Sequence, residues 1–343
     1  MTLLARDEAD VVDAQIAFHL GAGVDFVVAT DNRSRDGTTE VLERYEGAGR
    51  LHLIREPGED FRQSEWVTRM ARLAATDFEA DWVYNTDPDE FWWARGGSLK
   101  EILGAIPERF GVVRAVWRNF VPRPDDGRFF AERMTARLCT PSFHDHPLST
   151  HWKSAHRASS EVRIGRGNHE AFAPGLLPLR GWYPIEILHY PVRSLEHCVR
   201  KYVTQFVALE KNATKGIPAH MADAYRAYKA GALEAFYAPL VVDDETLERG
   251  LAVGTYAVDT RLRDALRALG FGHLRDGAGA SLDVGHPGFA DEALFAGEAT
   301  ALDESDLFLA LGARIDRLER RVGRLERGAL TRLRGAVHRV RRP

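Results

Sequence analysis

The chain has 343 residues, 45% of them hydrophobic, and a formal charge of −4. That length and apolar content can bury a large core, as one large domain with additions or as two, and the near-balanced charge gives no general drive toward nucleic acid. Two cysteines, Cys139 and Cys198, are too few for a disulfide framework and fit a reducing compartment. No apolar run reaches the roughly 18 residues that span a bilayer, and no signal peptide is visible, so a soluble, cytoplasmic protein is expected.

Thr2 to Ala5 reads as a short buried strand running into Arg6, Asp7 and Glu8. The helix after it has an apolar stripe at Val12, Ile16 and Leu20 and stops at Gly21 and Gly23. Those glycines end a helix instead of opening one after a strand, so the dinucleotide-binding fingerprint is absent and a hydride-transferring enzyme loses its main signal. A second strand, Asp25 to Thr30, ends in the polar turn Asp31-Asn32-Arg33-Ser34-Arg35-Asp36-Gly37-Thr38, where Asp36 or Thr38 starts a helix. Asp31, at a strand's carboxyl end, is suited to accept hydrogen bonds from a base or ribose. A third strand, Leu51 to Ile54, precedes a helix from Arg62 to Ala75. On that helix Arg62 and Arg69 are either solvated or placed to steady a diphosphate.

Trp82 to Thr86 is the fourth strand, and Asp87, Asp89 and Glu90 follow it, where open α/β sheets bind their ligands. Three acids in four positions repel one another, so the cluster calls for a cation, a proton or open water. A hard divalent metal bridging to phosphate oxygens would satisfy it. The structural alternative is a turn that caps the next helix. Trp92 and Trp93 are suited either to stacking on a sugar ring or to packing.

Arg6-Asp7-Glu8, TDNRSRDGT from Thr30 to Thr38, FRQSEWVTRMARLAA from Phe61 to Ala75 and DPDEF from Asp87 to Phe91, in that order, resemble the family 2 glycosyltransferases. The likeness is greatest to the branch whose metal motif reads Asp-x-Asp-Glu-Phe. It is good over about the first 120 residues and thinner as far as His189; Asn32 departs from it, since many relatives carry a second Asp there. The resemblance implies a GT-A fold, a Rossmann-like mixed α/β sheet flanked by helices that binds a nucleotide sugar. It also implies inverting transfer of the sugar from a nucleoside diphosphate to an acceptor hydroxyl with Mn²⁺ or Mg²⁺, in polysaccharide or glycoconjugate synthesis. Carried over by position, Asp7 and Glu8, with Arg6 beside them, border the nucleobase pocket and Asp31 faces base or ribose. Asp87 and Asp89 hold the metal, Glu90 orients the loop or the acceptor, and His189 is the candidate for the late histidine that many such enzymes add to the metal shell. A noncatalytic nucleotide-binding or nucleotidyl-transferring relative is the alternative.

Further on, Ser98 and Glu101 make a capping-box pattern, and Gly111 to Val121 reads as a long alternating strand. Five of the thirteen histidines, His144, His146, His151, His156 and His169, lie close together, but their irregular spacing and the lack of a cysteine pair argue against zinc. Lys153 and His169 are assigned to a sugar-phosphate cleft, and Glu170 or Asp145 is the candidate base for the acceptor hydroxyl. After the strand Ile185 to Tyr190, Arg193 is a candidate phosphate partner and Ser194 caps a helix. A helix from Ala219 to Tyr237 follows, and residues 241–297 read as peripheral. Leu311, Ile315, Leu318, Val322 and Leu325 trace a coiled-coil seam of about two heptads, amid arginines that continue to the end of the chain. A solvated helix, self-association, or a basic tail on anionic lipid at the inner face of the membrane would each account for it. The expected organisation is a GT-A domain over 1–194, a helical extension over 195–298, and a C-terminal helix over 299–343.

Overall fold

The structure is a computed structural model and describes residues 1–58, 62–139, 152–180, 182–211, 217 and 219–271. Its centre is an eight-stranded mixed sheet. In chain order the elements are β1 (Thr2–Ala5), α1 (Val12–Gly21), β2 (Val27–Asp31), α2 (Thr38–Gly47), β3 (Leu51–Arg55), α3 (Gln63–Thr76), β4 (Trp82–Thr86), β5 (Glu90–Ala94), α4 (Leu99–Gly104), β6 (Val112–Asn119), α5 (Phe130–Arg133) and β7 (Ala136–Leu138). There follow β8 (Trp152–Arg157), β9 (Arg163–Ile164), β10 (Ala171–Phe172), β11 (Ile185–His189), α6 (Leu195–Cys198), a π-helical segment (Val199–Thr204) continuing into α7 (Gln205–Lys211), α8 (Ala219–Lys229), α9 (Leu233–Tyr237), α10 (Asp244–Ala252), β12 (Tyr256–Val258) and α11 (Arg261–Ala268).

The sheet order is β3-β2-β1-β4-β8-β6-β11-β5. The pairings of β3, β2, β1 and β4 are parallel, β8 is antiparallel to both β4 and β6, β11 is parallel to β6, and β5 is antiparallel to β11. This is the mixed α/β sheet flanked by helices that the sequence predicts.

Successive residues of a strand face opposite sides, and the two cores show it. Leu3, Val27, Tyr84 and Val113 join one cluster with Ile16 and Phe18 of α1, while Leu4, Val28, Val83 and Val112 join the other with Trp66, Val67 and Met70 of α3. Strands covered on both faces need no polar alternation, which explains why β1 is buried at all four residues.

Three expectations are corrected. The acid turn leads into a strand, β5, and not a helix. Helix 219–237 is two helices, because Gly231 adopts φ 67° between them, a conformation that ends an α-helix. Finally, the residues of 241–271 are not peripheral: β12 pairs with β7, and Leu262, Ala265 and Leu266 of α11 enter the core that holds Phe18 and Phe91. The coiled-coil seam lies outside the described residues.

Candidate active site

Asp87-Pro88-Asp89-Glu90 is a tight turn closed by the Glu90 N–H donating to the Asp87 carbonyl at 3.1 Å, with Pro88 where its fixed φ suits a turn. The Asp87 N–H returns a bond to Glu90 Oε2 at 3.1 Å. The turn gathers the acids where β4 ends and β5 starts. The β11 register sets His189 opposite Asn119 of β6 and Glu90 of β5. Lys153, second in the antiparallel β8, sits at the same edge.

Two lysines answer the repulsion of the acids. Lys153 Nζ lies 2.6 Å from Asp87 Oδ2 and 3.1 Å from Glu90 Oε1, and the Lys201 ammonium pairs with Asp89 Oδ2. Burial opposes the charge on Asp89, yet the Lys201 ammonium holds its carboxyl well below the usual range. Burial pushes Glu90 up to about 8, against the pull of Lys153 and with the push of Asp87 and Asp89. The partners of Glu90 are all donors, Trp117 Nε1–H at 3.1 Å among them, so its hydrogen bonds favour the carboxylate while its burial favours the acid.

His189 is the histidine the resemblance implied at this position. Its Nδ1 lies 2.7 Å from Asn119 Oδ1, and its Nε2 faces Asp89 Oδ2 at 3.6 Å. Burial lowers the imidazole pKa. A ring nitrogen oriented by a hydrogen bond at the other nitrogen is the usual arrangement of a metal ligand. Ligand atoms of Asp89, Glu90 and His189 all lie within 4.8 Å of one another. The expected set was Asp87, Asp89 and His189; Asp87 instead turns to Lys153 and accepts from Asn168 Nδ2 at 3.2 Å. Trp117 roofs the cluster, stacked on His189 with ring centroids 4.8 Å apart and met edge-on by His169 at 5.5 Å.

The residues expected to hold the nucleotide lie in the loops after β1 and β2. Both oxygens of Asp31 accept from its own turn, Oδ1 from Ser34 N–H and Oγ–H and Oδ2 from Thr39 Oγ1–H. Asp7, at φ 56°, accepts from the Arg35 N–H at 2.8 Å and sews the two loops together. Asn32 accepts from Arg6 and donates to the Gly58 carbonyl; an aspartate there could not donate. Glu8 is committed to Arg193, a buried guanidinium that also pairs with Asp10 at 2.6 Å. Arg193 therefore braces the fold and has no fork left for a phosphate. Arg62 and Arg69 lie on exposed or half-exposed ion pairs with Glu65 and Glu56.

Trp92 and Trp93 offer no face to a sugar. Both are buried, Trp92 against Tyr84 and Trp93 stacked on Phe18. Glu170 stands two residues beyond Asn168, the donor to Asp87, while Asp145 lies outside the described residues. Sequence reasoning missed Lys201, Trp117, Asn119 and Asp10. Trp117 and Asn119 had a signal, as same-face residues at the end of a strand; Lys201 and Asp10 had none, because their partners are remote in sequence.

No protein-family model matches the chain, and no curated protein matches it significantly. Solved structures resemble it remotely. S. aureus TarS 1-349 in complex with UDP-GlcNAc is 12% identical, with 74% of each chain covered and a TM-score of 0.37. The same fragment in complex with UDP is 13% identical over 69% of this chain and 71% of that one, with a TM-score of 0.35. A mycobacterial protein is 16% identical over 63% and 74%, with a TM-score of 0.31. Against another structure of S. aureus TarS, the match covers 43% of that chain.

Proposed function

We propose that this chain is a glycosyltransferase that moves a sugar, with inversion, from a nucleoside diphosphate to the hydroxyl of a carbohydrate or glycoconjugate. The observation that carries the reading is the convergence of Asp89, Glu90 and His189 within 4.8 Å at the carboxyl edge of the sheet. The sequence motifs supply the same expectation independently.

A divalent cation fits this donor set, because an imidazole nitrogen and a carboxylate oxygen face each other across 3.6 Å. Two carboxylates and an imidazole suit Mn²⁺ better than Mg²⁺. Asp89, Glu90 and His189 would hold the ion, with Asp87 as the outer member of the acid set. When bound, it supplies positive charge to the departing diphosphate. Lys153 adds fixed charge at the same edge. The acceptor oxygen bonds to the anomeric carbon as the bond to the diphosphate oxygen breaks, and the acceptor's proton passes to a carboxylate, for which Glu170 and Asp145 are the candidates. Residues 1–194 form the catalytic domain in this scheme, 195–298 extend it, and 299–343 provide self-association or contact with anionic lipid.

Hydrolysis of nucleotide sugars by the purified chain with Mn²⁺ tests the proposal. Slow release of the nucleoside diphosphate is expected, falling by roughly 10²-fold or more in Asp89→Ala. Tight metal-dependent binding of a nucleoside diphosphate with no sugar released would identify a binding module instead.

A further inference from the structure

Lys201 lies in the π-helical segment Val199–Thr204, between α6 and α7. A π-helical turn inserts an extra residue into the helical ladder and is found mostly at functional sites. Here it places an ammonium, 18% exposed, on Asp89 Oδ2. That is the same oxygen that faces His189 Nε2. An ion bound by Asp89 and His189 must come within about 2.0–2.3 Å of both ligand atoms, and so would bind the oxygen on which Lys201 Nζ sits. Two cations on one carboxylate oxygen repel each other strongly.

From this geometry we infer that Lys201 is a resident counter-ion that a divalent cation displaces, so that the lysine sets the metal affinity of the site and ties it to the conformation of the π-helical segment. The inference rests on the metal reading given above. The segment has an anchor on one side and a releasable tether on the other. Ser194 caps α6 through the His197 N–H at 3.0 Å, and the buried Arg193 fixes the start of α6 to Glu8 and Asp10. Lys201 lies beyond that clamp, and its pairing with Asp89 is the bond the ion would break. Asp89 then exchanges a monovalent partner for a divalent one and is never left as a bare buried charge, which would be costly.

The test is Mn²⁺ titration of the full chain without nucleotide, followed by the electron paramagnetic resonance signal of free Mn²⁺. Lys201→Met and Lys201→Gln should bind Mn²⁺ about tenfold or more tightly than the unmodified chain, as expected when a competing charge is removed. Lys201→Arg should bind no more tightly than the unmodified chain. Should the neutral variants be poorly folded, hydrogen exchange on the unmodified chain decides: Mn²⁺ should speed exchange of the amides of residues 199–204, and should not do so in Asp89→Asn. Equal or weaker binding by both neutral variants, or unchanged exchange under saturating Mn²⁺, overturns the displacement while leaving the metal site intact. Failure of every form of the chain to bind Mn²⁺ overturns both the displacement and the metal reading.

Discussion

Lys153 holds two carboxylates apart with a side chain 2% exposed. Removing one member of a buried ion pair leaves the other charge uncompensated, at a cost of about 3–5 kcal/mol. Lys153→Met should therefore lose about that much stability in urea unfolding, and added Mn²⁺ should restore part of it. His19 makes a separate prediction away from the acids. Its Nε2 accepts the Trp92 N–H at 3.1 Å and its Nδ1 lies 2.7 Å from the Gln15 carbonyl, clasping α1 to β5. Burial lowers its pKa from 6.5 to about 3. Below 6.5 the unfolded chain takes up a proton that the folded chain refuses, so this residue's contribution is complete above 6.5 and is lost as pH falls toward 3. The stability difference between His19→Gln and the unmodified chain should shrink over that range in unfolding measured by fluorescence. A difference independent of pH would show that His19 titrates normally.

At the scale of elements, the brace at Arg193 joins the start of α6 to the loop after β1. Arg193→Met should cost about 3–5 kcal/mol, because Asp10 and Glu8 lose their buried partner. Hydrogen exchange should locate the loosening at α6 and the π-helical segment and spare β2 and β3; uniform loosening would contradict a local brace. Elements with a strong local pattern were legible in the sequence: β1 and β4 have the predicted bounds, and Ser98 and Glu101 form the predicted capping box. β8 was not legible, since WKSAHR looks like a polar loop until Asp87, Glu90 and the neighbouring strands provide partners for Lys153 and the backbone. β5 was obscured by its own aromatics, which fit a ligand platform as well as a strand buried on both faces. The break at Gly231 was hidden for a simpler reason: a glycine inside a helical pattern is often tolerated.

Over the whole molecule, parallel strands ending along one edge bring together residues a hundred or more positions apart in the chain. Asp89 meets His189 and Lys201 there, and Glu8 meets Arg193. The sequence drew attention to the acids, because three carboxylates in four positions repel one another, and family likeness pointed to His189, which stands beside them. It picked out Lys153 for a sugar-phosphate cleft but not as a partner of the acids, and it gave no sign of Lys201, since each pairing depends on the completed sheet. The Glu186 carboxylate shows the same dependence: Arg118 and Arg261 bind it at 2.7 and 2.8 Å, welding β6, β11 and the start of α11. The proposed activity needs this edge to bind a nucleotide sugar together with a divalent ion. Thermal unfolding with a panel of UDP-, GDP- and dTDP-sugars, with and without Mn²⁺, tests that most directly, since a ligand of the folded state raises the midpoint. At least one sugar nucleotide should raise the midpoint of the unmodified chain only when Mn²⁺ is present, and Asp89→Asn should abolish the rise; a rise that survives Asp89→Asn, or none with any donor, would contradict the account.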